Sequence, residues 1–273
     1  MIQKIKFITV IDFLFLLILG FAGAVKNELL SDTVYYLAFL IPIALGVSYI
    51  FTGGAKLSDN SLVKANLDDF KINKNNIAFS LPLIAPEIAI VALISVGTAA
   101  LMRLLGYENT AAYNETFIFA VLLHALIPAV LEELLFRFIP VKLLKDNAKS
   151  AIIISSIMFA FAHANIFQIS YAFAAGIIFA SVYISTGSII PCVAMHFMNN
   201  LFSLMSIYGV PDVWLWVPLG VLLAISVTVI VLRRKEYLKA FNNIKCSDKI
   251  EIGYPPIFFA LLSLALAISA LFA

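Results

Sequence analysis

Charge is scarce in this sequence: Asp, Glu, Lys and Arg make up 12% of its 273 residues, whereas hydrophobic residues make up 63%. A soluble domain carries about 25% charged residues, so a soluble fold is excluded. The net charge is only +2, which provides no strongly basic surface, and we expect no nucleic-acid partner. The composition indicates an integral membrane protein whose main surroundings are the lipid bilayer.

Cysteine is also rare, with Cys192 in a predicted membrane helix and Cys246 in a predicted loop. Two such residues provide no disulfide framework, zinc pattern or redox motif, and we expect two unpaired thiols. No internal repeat, low-complexity segment or appended soluble domain is evident. We therefore expect residues 1–273 to form a single integral membrane domain.

Long apolar runs are abundant. Crossing the ~30 Å hydrocarbon core takes about 20 helical residues, and an unpaired backbone in lipid is too costly for anything but helices or closed barrels. Because the runs lack the alternation of barrel strands, the predicted fold class is all-α, a polytopic transmembrane helix bundle with eight or nine membrane helices. The runs lie near residues 7–25, 33–51, 77–102, 116–140, 150–166, 168–186, 189–207, 213–232 and 256–273.

Lysine and arginine are unevenly distributed among the connecting segments. With nine helices, four basic clusters fall on the same side of the membrane, and the opposite loops are poorer in basic residues. By the positive-inside rule this predicts a cytoplasmic N-terminus, which we expect in a prokaryotic cell membrane. The clusters are Lys4 and Lys6; Lys56, Lys64, Lys71 and Lys74; Lys142, Lys145 and Lys149; and Arg233, Arg234 and Lys235.

The predicted helix over residues 116–140 carries Glu132, Glu133 and Arg137 within the stretch AVLEELLFRF. A charge at the centre of a membrane helix costs about 2.5–3.5 kcal/mol, so three charges facing lipid would roughly cancel the insertion drive of the segment. They must therefore face the bundle interior, pair, or lose their charge.

Spacing separates the two carboxylates. Glu133 and Arg137 are four residues apart and share a helical face, whereas Glu132 is rotated by about 100°. This predicts a Glu133–Arg137 pair and leaves Glu132 as the carboxylate suited to general acid or base chemistry. The alternative is that all three groups only hold helices together.

Three histidines are present: His124, His163 and His196. Asn200 follows His196 by four residues and lies on the same helical face. At ~1.5 Å per residue from the cytoplasmic flank, Glu132 and His196 lie roughly 12 Å deep, Asn200 roughly 18 Å and His163 roughly 20 Å. These four side chains can thus converge in the cytoplasmic half to the middle of the membrane, whereas His124 lies nearer the far side and is interpreted as structural.

Three motifs in order carry a resemblance to a known family. EELLFR (132–137), FAFAH (159–163) and HFMNN (196–200) resemble the EExxxR, FxxxH and HxxxN motifs of the CAAX protease and bacteriocin-processing family of intramembrane endopeptidases. This family includes the type II CAAX prenyl (Ras-converting) enzymes, and STGSIIP before His196 is also similar to it. The resemblance covers roughly residues 115–205, which we interpret as the catalytic core.

The resemblance implies an intramembrane endopeptidase, a hydrolase of the glutamate-protease type. Glu132 would be the general base that activates a water with help from His163, while His196 and Asn200 would donate to the developing oxyanion. The residues expected to support or orient this site are Glu133, Arg137 and Phe159. Relatives carry an asparagine three or more residues after the second-motif histidine; Asn165 follows by two, so its role is left open.

The same residues allow a second mechanism. Glu132, His163 and His196 could form a His₂Glu zinc site with water in the fourth position. Because the sequence has no HExxH motif, metal-free hydrolysis is the favoured interpretation, with no cofactor expected and zinc as the alternative.

Two other functional classes remain open: a non-catalytic membrane protein of the bacteriocin-immunity type, and an ion-coupled transporter. A transporter is disfavoured because no repeat with paired broken helices is evident. For the peptidase we expect a lipidated or membrane-associated peptide substrate, prenylated (CAAX-type) or not, cut near its C-terminus. We expect the active site to open on the cytoplasmic side.

Overall fold

The computed structural model describes residues 1–52, 68–108, 113–244 and 249–272, with the side chains of residues 28, 29 and 243 left aside. The described residues form helices joined by short connections and contain no strand, which confirms the all-α prediction. The helices are α1 (Ile2–Ala24), α2 (Glu28–Thr52), α3 (Lys74–Leu104), α4 (Phe117–Leu143), α5 (Ala148–Ala162), α6 (Ile166–Thr186), α7 (Ile190–Ile207), α8 (Asp212–Leu232), α9 (Arg234–Asn243) and α10 (Tyr254–Ser269).

Among the described residues, seven helices are long and apolar enough to cross a membrane: α1 to α4 and α6 to α8. The apolar helices α5 and α10 have 15 and 16 residues, about 22–24 Å at 1.5 Å per residue, which is less than a ~30 Å core. The total of eight or nine membrane helices therefore stays a prediction. Cys192 is buried and free, while Cys246, Lys56 and Lys64 lie outside the described residues.

Helix α4 lies at the centre of the bundle. The apolar side chains that surround its charged stretch, Leu135, Phe136, Phe138 and Ile139, are all buried in the main hydrophobic core. Helices α1 and α2 pack against each other, as do α5 and α6. Most of the segment that lipid would tolerate least is thus enclosed by protein.

Helix α4 is not a regular α-helix. Its π-helical turns, Val121–Leu126 and Leu134–Phe138, precede Pro128 and Pro140, which lack the N–H that would bond the carbonyl four residues earlier. The hydroxyl of Ser155 in α5 donates instead to the carbonyl of Phe136, which Pro140 leaves free. Such turns often occur at functional sites, and here they flank the stretch that carries both glutamates.

Helix α5 ends inside the protein, and a sharp turn follows it. Ala164 has a φ of +44°, in the left-handed region that non-glycine residues seldom adopt. The Asn165 side chain accepts a 2.9 Å hydrogen bond from the amide of Phe167 and caps α6. The turn leaves His163 half-buried just beyond the end of α5, and it gives Asn165 a structural role at the start of α6.

Close contact between α5 and α6 depends on Gly176, where an added Cβ would lie 3.0 Å from Cα and Cβ of Ser156. We expect Gly176→Leu to lower the free energy of unfolding by about 1–3 kcal/mol, because overpacking forces the helices apart. Thermal unfolding in detergent measures this. Gly97→Leu is the matched control, since no atom lies within 4 Å of a Cβ there; equal losses in the two variants would contradict the packing argument.

Candidate functional site

The four side chains predicted to be catalytic meet at one cavity of about 260 Å³ between α2, α4, α5, α6 and α7. Glu132, His163, His196 and Asn200 all line it, and so does Phe159. Three separate helices and the turn after α5 contribute these groups, so the tertiary fold brings them together. We name this space the catalytic cavity, after the role predicted for these residues from the sequence.

Glu133 lies behind the catalytic cavity and holds two partners. Its Oε1 is 2.9 Å from Nδ1 of His196, and its Oε2 is 3.6 Å from Nε of Arg137. The side chains of Glu133 and Arg137 are fully buried. Glu133 therefore fixes the His196 ring while it compensates the arginine charge.

Two aromatic rings stabilise the buried guanidinium of Arg137. Its guanidinium carbon lies 3.9 Å from the ring centre of Phe159 and 5.7 Å from that of Phe179. A desolvated cation over an aromatic face gains about 2 kcal/mol. Phe159 also meets both site histidines edge to face, at 5.0 Å from His163 and 5.5 Å from His196, so one ring connects the buried cation to the catalytic cavity.

Glu132 differs from its neighbour in exposure and in partners. Its side chain is 14% exposed, against 0% for Glu133, and it lines the catalytic cavity. Its Oε2 lies 3.7 Å from Nε2 of His196, too far for a direct hydrogen bond. Glu132 is therefore the carboxylate that a water or a substrate in the cavity can reach.

The hydrogen bond of His163 defines which ring nitrogen is available. Nδ1 lies 2.8 Å from the carbonyl oxygen of Phe159, one of the last carbonyls of α5, which have no partner within the helix. A carbonyl only accepts, so Nδ1 carries the proton and a neutral ring has its lone pair on Nε2. His163 can thus accept a proton or orient a water from Nε2.

Asn200 lies one helical turn beyond His196 on α7, and Asn199 beside it also lines the catalytic cavity. An amide offers two N–H donors as well as a carbonyl acceptor. Asn200 can therefore donate toward the same part of the cavity that His196 faces.

The motifs did not reveal every lining residue. Tyr35, Gln168, Tyr171 and Ser203 also line the catalytic cavity, and no spacing pattern in the sequence distinguishes them from other polar residues of membrane helices. His124, interpreted from its depth as structural and distant, lines it too, because the cavity extends along α4 beyond Glu132.

The rim of the cavity includes Tyr113, whose ring stacks on His124 at 4.1 Å. Nε2 of His124 lies 3.5 Å from Oε1 of Glu115. A hydrogen bond from its own backbone amide lowers the pKa of the Glu115 carboxyl, and His124 adds to this. The Glu115 carboxylate beside the rim is therefore ionised at neutral pH.

Within the described residues, no three His, Cys, Asp or Glu side chains are arranged to hold a metal ion. In the proposed zinc set, Nδ1 of His196 is engaged by Glu133 and Nδ1 of His163 by a carbonyl. Only the Nε2 atoms and Glu132 would be available as ligands.

Comparison with known proteins agrees with the motif interpretation. The family model of the type II CAAX prenyl endopeptidases, Rce1-like, matches residues 114–202, about a third of the chain. The resemblance found from the motifs is confirmed over this range, and the protease family supports a hydrolase. No curated protein and no solved structure matches the chain. The apolar helices and the family match together indicate an integral membrane protein.

A mutant cycle measures the coupling between Glu133 and Arg137. We expect Arg137→Met to destabilise the protein by about 3–5 kcal/mol, because it leaves Glu133 as an uncompensated buried charge. Adding Glu133→Gln to Arg137→Met removes that charge, and the double variant should unfold at a higher temperature than Arg137→Met alone. Additive losses in thermal unfolding would show that the two side chains do not compensate each other.

Proposed function

We propose that this chain is an intramembrane endopeptidase of the type II CAAX prenyl protease kind, with a catalytic core over about residues 115–205. The observation that carries the proposal is the single cavity lined by Glu132, His163, His196 and Asn200. The Rce1-like match over residues 114–202 supports the reaction class. In this proposal Glu132, His163, His196 and Asn200 are the catalytic residues, and Glu133, Arg137 and Phe159 hold the geometry.

Hydrolysis begins with a water between Glu132 and His163. Glu132 removes a proton from the water as its oxygen attacks the scissile carbonyl carbon, while Nε2 of His163 orients the water. The proton then passes to the nitrogen of the leaving amine as the C–N bond breaks, giving a carboxylic acid and an amine. The new acid gives up its proton to the amine, which leaves a carboxylate and an ammonium group. A positioned general base of this kind contributes roughly 10²–10⁴-fold in rate.

Stabilisation of the tetrahedral intermediate falls to His196 and Asn200. Because Nδ1 of His196 donates to Glu133, donation to the oxyanion requires a proton on Nε2 as well. The positive ring would then lie between the two glutamates, with Nε2 3.7 Å from Glu132. Fixed donors in a site with little water are among the largest contributions to catalysis.

The volume of the cavity limits the substrate. At about 260 Å³ it lies slightly below the ~300–1,000 Å³ of typical small-molecule sites, which suits a short extended peptide rather than a folded partner. We propose a membrane-associated or lipidated peptide, cut near its C-terminus, with a prenylated CAAX-type tail as one form. The basic loops would face the cytoplasm of a prokaryotic cell.

The other functional classes lack a favouring observation. A binding protein of the immunity type would not need a carboxylate exposed to the cavity beside two fixed histidines. A zinc peptidase would use Glu132, His163 and His196 as ligands, and the sequence has no HExxH motif to support that set. We propose metal-free hydrolysis, with zinc as the alternative.

Replacing the proposed base tests the proposal directly. We expect Glu132→Gln and Glu132→Ala to lower the rate of peptide cleavage by about 10²–10⁴-fold, because neither side chain can accept the proton from water. The assay uses purified protein in lipid, with prenylated and unprenylated C-terminal peptides and detection of the new amine terminus by mass spectrometry.

Glu236→Gln is the matched control, an exposed carboxylate whose partner is Arg233; it should cleave at the wild-type rate. Wild-type cleavage by folded Glu132→Ala would sink the proposal. A rate that falls on stringent chelation and returns with zinc would favour the metal mechanism instead.

Neighbouring asparagines allow a paired test of the oxyanion site. We expect Asn200→Ala to lower kcat by about 10²–10³-fold, as the loss of an oxyanion donor does in other hydrolases. Asn199→Ala should change kcat less, since Asn199 is rotated by about 100° from Asn200 around the axis of α7. Equal losses in the two variants would contradict the assignment to Asn200.

A further inference from the structure

The bundle has two ends of different charge. We call the basic end the one where α4 ends and α5 begins; there Lys4 approaches Asp146 at 3.8 Å and Lys142 pairs with Asp69. At the opposite end, among the described residues, only Lys26 and Arg103 are basic. The basic end carries Lys4, Lys6, Lys71, Lys74, Lys142, Lys145, Lys149, Arg233, Arg234, Lys235, Lys239 and Lys249.

Along the membrane normal, the catalytic cavity extends from the catalytic residues toward one end of the bundle. A neighbouring cavity of about 190 Å³, which shares Tyr171, Asn199 and Asn200 with it, lies beside it toward α3 and α8. On α4 its lining runs from Glu132 back to His124, and on α7 it runs from His196 forward to Ile207. Helices α4 and α7 are antiparallel, so both paths lead to the opposite end, where Tyr113 lies at the rim. Another cavity of about 410 Å³ meets His163 from the same side and includes Tyr107 and Glu108.

Toward the basic end the site is closed. The side chains of Leu135, Arg137 and Phe138 on α4 are at most 1% exposed, and Cys192 and Met195 on α7 are fully buried. A cavity at the basic end, lined by Asp69, Lys142 and Tyr183 among others, shares no lining residue with the catalytic cavity. The catalytic groups are thus separated from the basic loops by a packed layer.

The depth of His196 along α7 and the open path to His196 favour opposite faces of the membrane. At 1.5 Å per residue, His196 lies about 9 Å from the start of α7 at the basic end and about 16 Å from its other end. The depth of the residues along the sequence therefore favoured cytoplasmic access. The packed layer blocks that shorter path, and the longer path is open.

The geometry points to a substrate that enters from the end opposite the basic loops, which the positive-inside rule places on the non-cytoplasmic face of the membrane. This inference rests on the proposed peptidase function and narrows its substrate class. Of the substrates proposed above, this favours a membrane-associated peptide whose scissile segment lies on the non-cytoplasmic side, such as an exported peptide, over the CAAX-type tail of a cytosolic protein.

Single-cysteine variants report access from each face of the membrane separately. In a Cys246→Ser background, where the remaining Cys192 is fully buried, we place a cysteine in the cavity mouth by Ile207→Cys and at the basic end by Lys145→Cys. A membrane-impermeant charged maleimide should label Ile207→Cys in intact bacterial cells and Lys145→Cys only in inverted membrane vesicles. Ser203→Cys, a one-atom change in the lining, replaces Ile207→Cys if that variant does not fold.

Cleavage then links the labelled path to the reaction. The maleimide adduct on Ile207→Cys should lower peptide cleavage by purified protein at least 10-fold, and the same adduct on Lys145→Cys should leave the rate unchanged. Labelling of Ile207→Cys from the cytoplasmic face, or full activity of its adduct, would overturn the inference. Labelling requires no turnover, so failure of the peptidase proposal would not imitate failure of the access route.

Discussion

A buried ion pair inside a membrane protein must be sheltered from lipid, and the pair of Glu133 and Arg137 imposes this constraint on the whole structure. Because both side chains are fully buried, α4 has to lie at the centre of the bundle, with other helices around it. The cation also needs the rings of Phe159 and Phe179, which fixes α5 and α6 beside it. The same pair then orients His196 through Glu133, so shelter and catalytic geometry have a common origin.

Much of this arrangement was readable from the sequence. Apolar runs predicted an all-helical membrane protein, and the four-residue spacing of Glu133 and Arg137 distinguished the two glutamates. Ordered motifs selected His163, His196 and Asn200, which the fold gathers at one cavity. These features could be predicted because each depends on helical periodicity or on the energetic cost of a charge in lipid, both of which are local properties.

Other features depend on how helices meet, and the sequence does not encode that in a local pattern. Tyr35, Gln168 and Tyr171 come to the cavity from α2 and α6, and His124 reaches it because the open space continues along α4. The direction of access likewise depends on side-chain packing around Arg137. The helical rise per residue gives the depth of a group in the membrane. It does not show on which side of that group packed side chains close the path.

Pro140 has a consequence for how the two helices that carry Glu132 and His163 move together. Its missing N–H frees the carbonyl of Phe136, and Ser155 of α5 donates to that oxygen. The helix with the proposed base is thereby joined, through a backbone defect, to the helix that ends at His163. A displacement of one helix would carry the other along. In the proposed mechanism, Glu132 and His163 would thus keep their separation while the surrounding bundle adapts to a substrate.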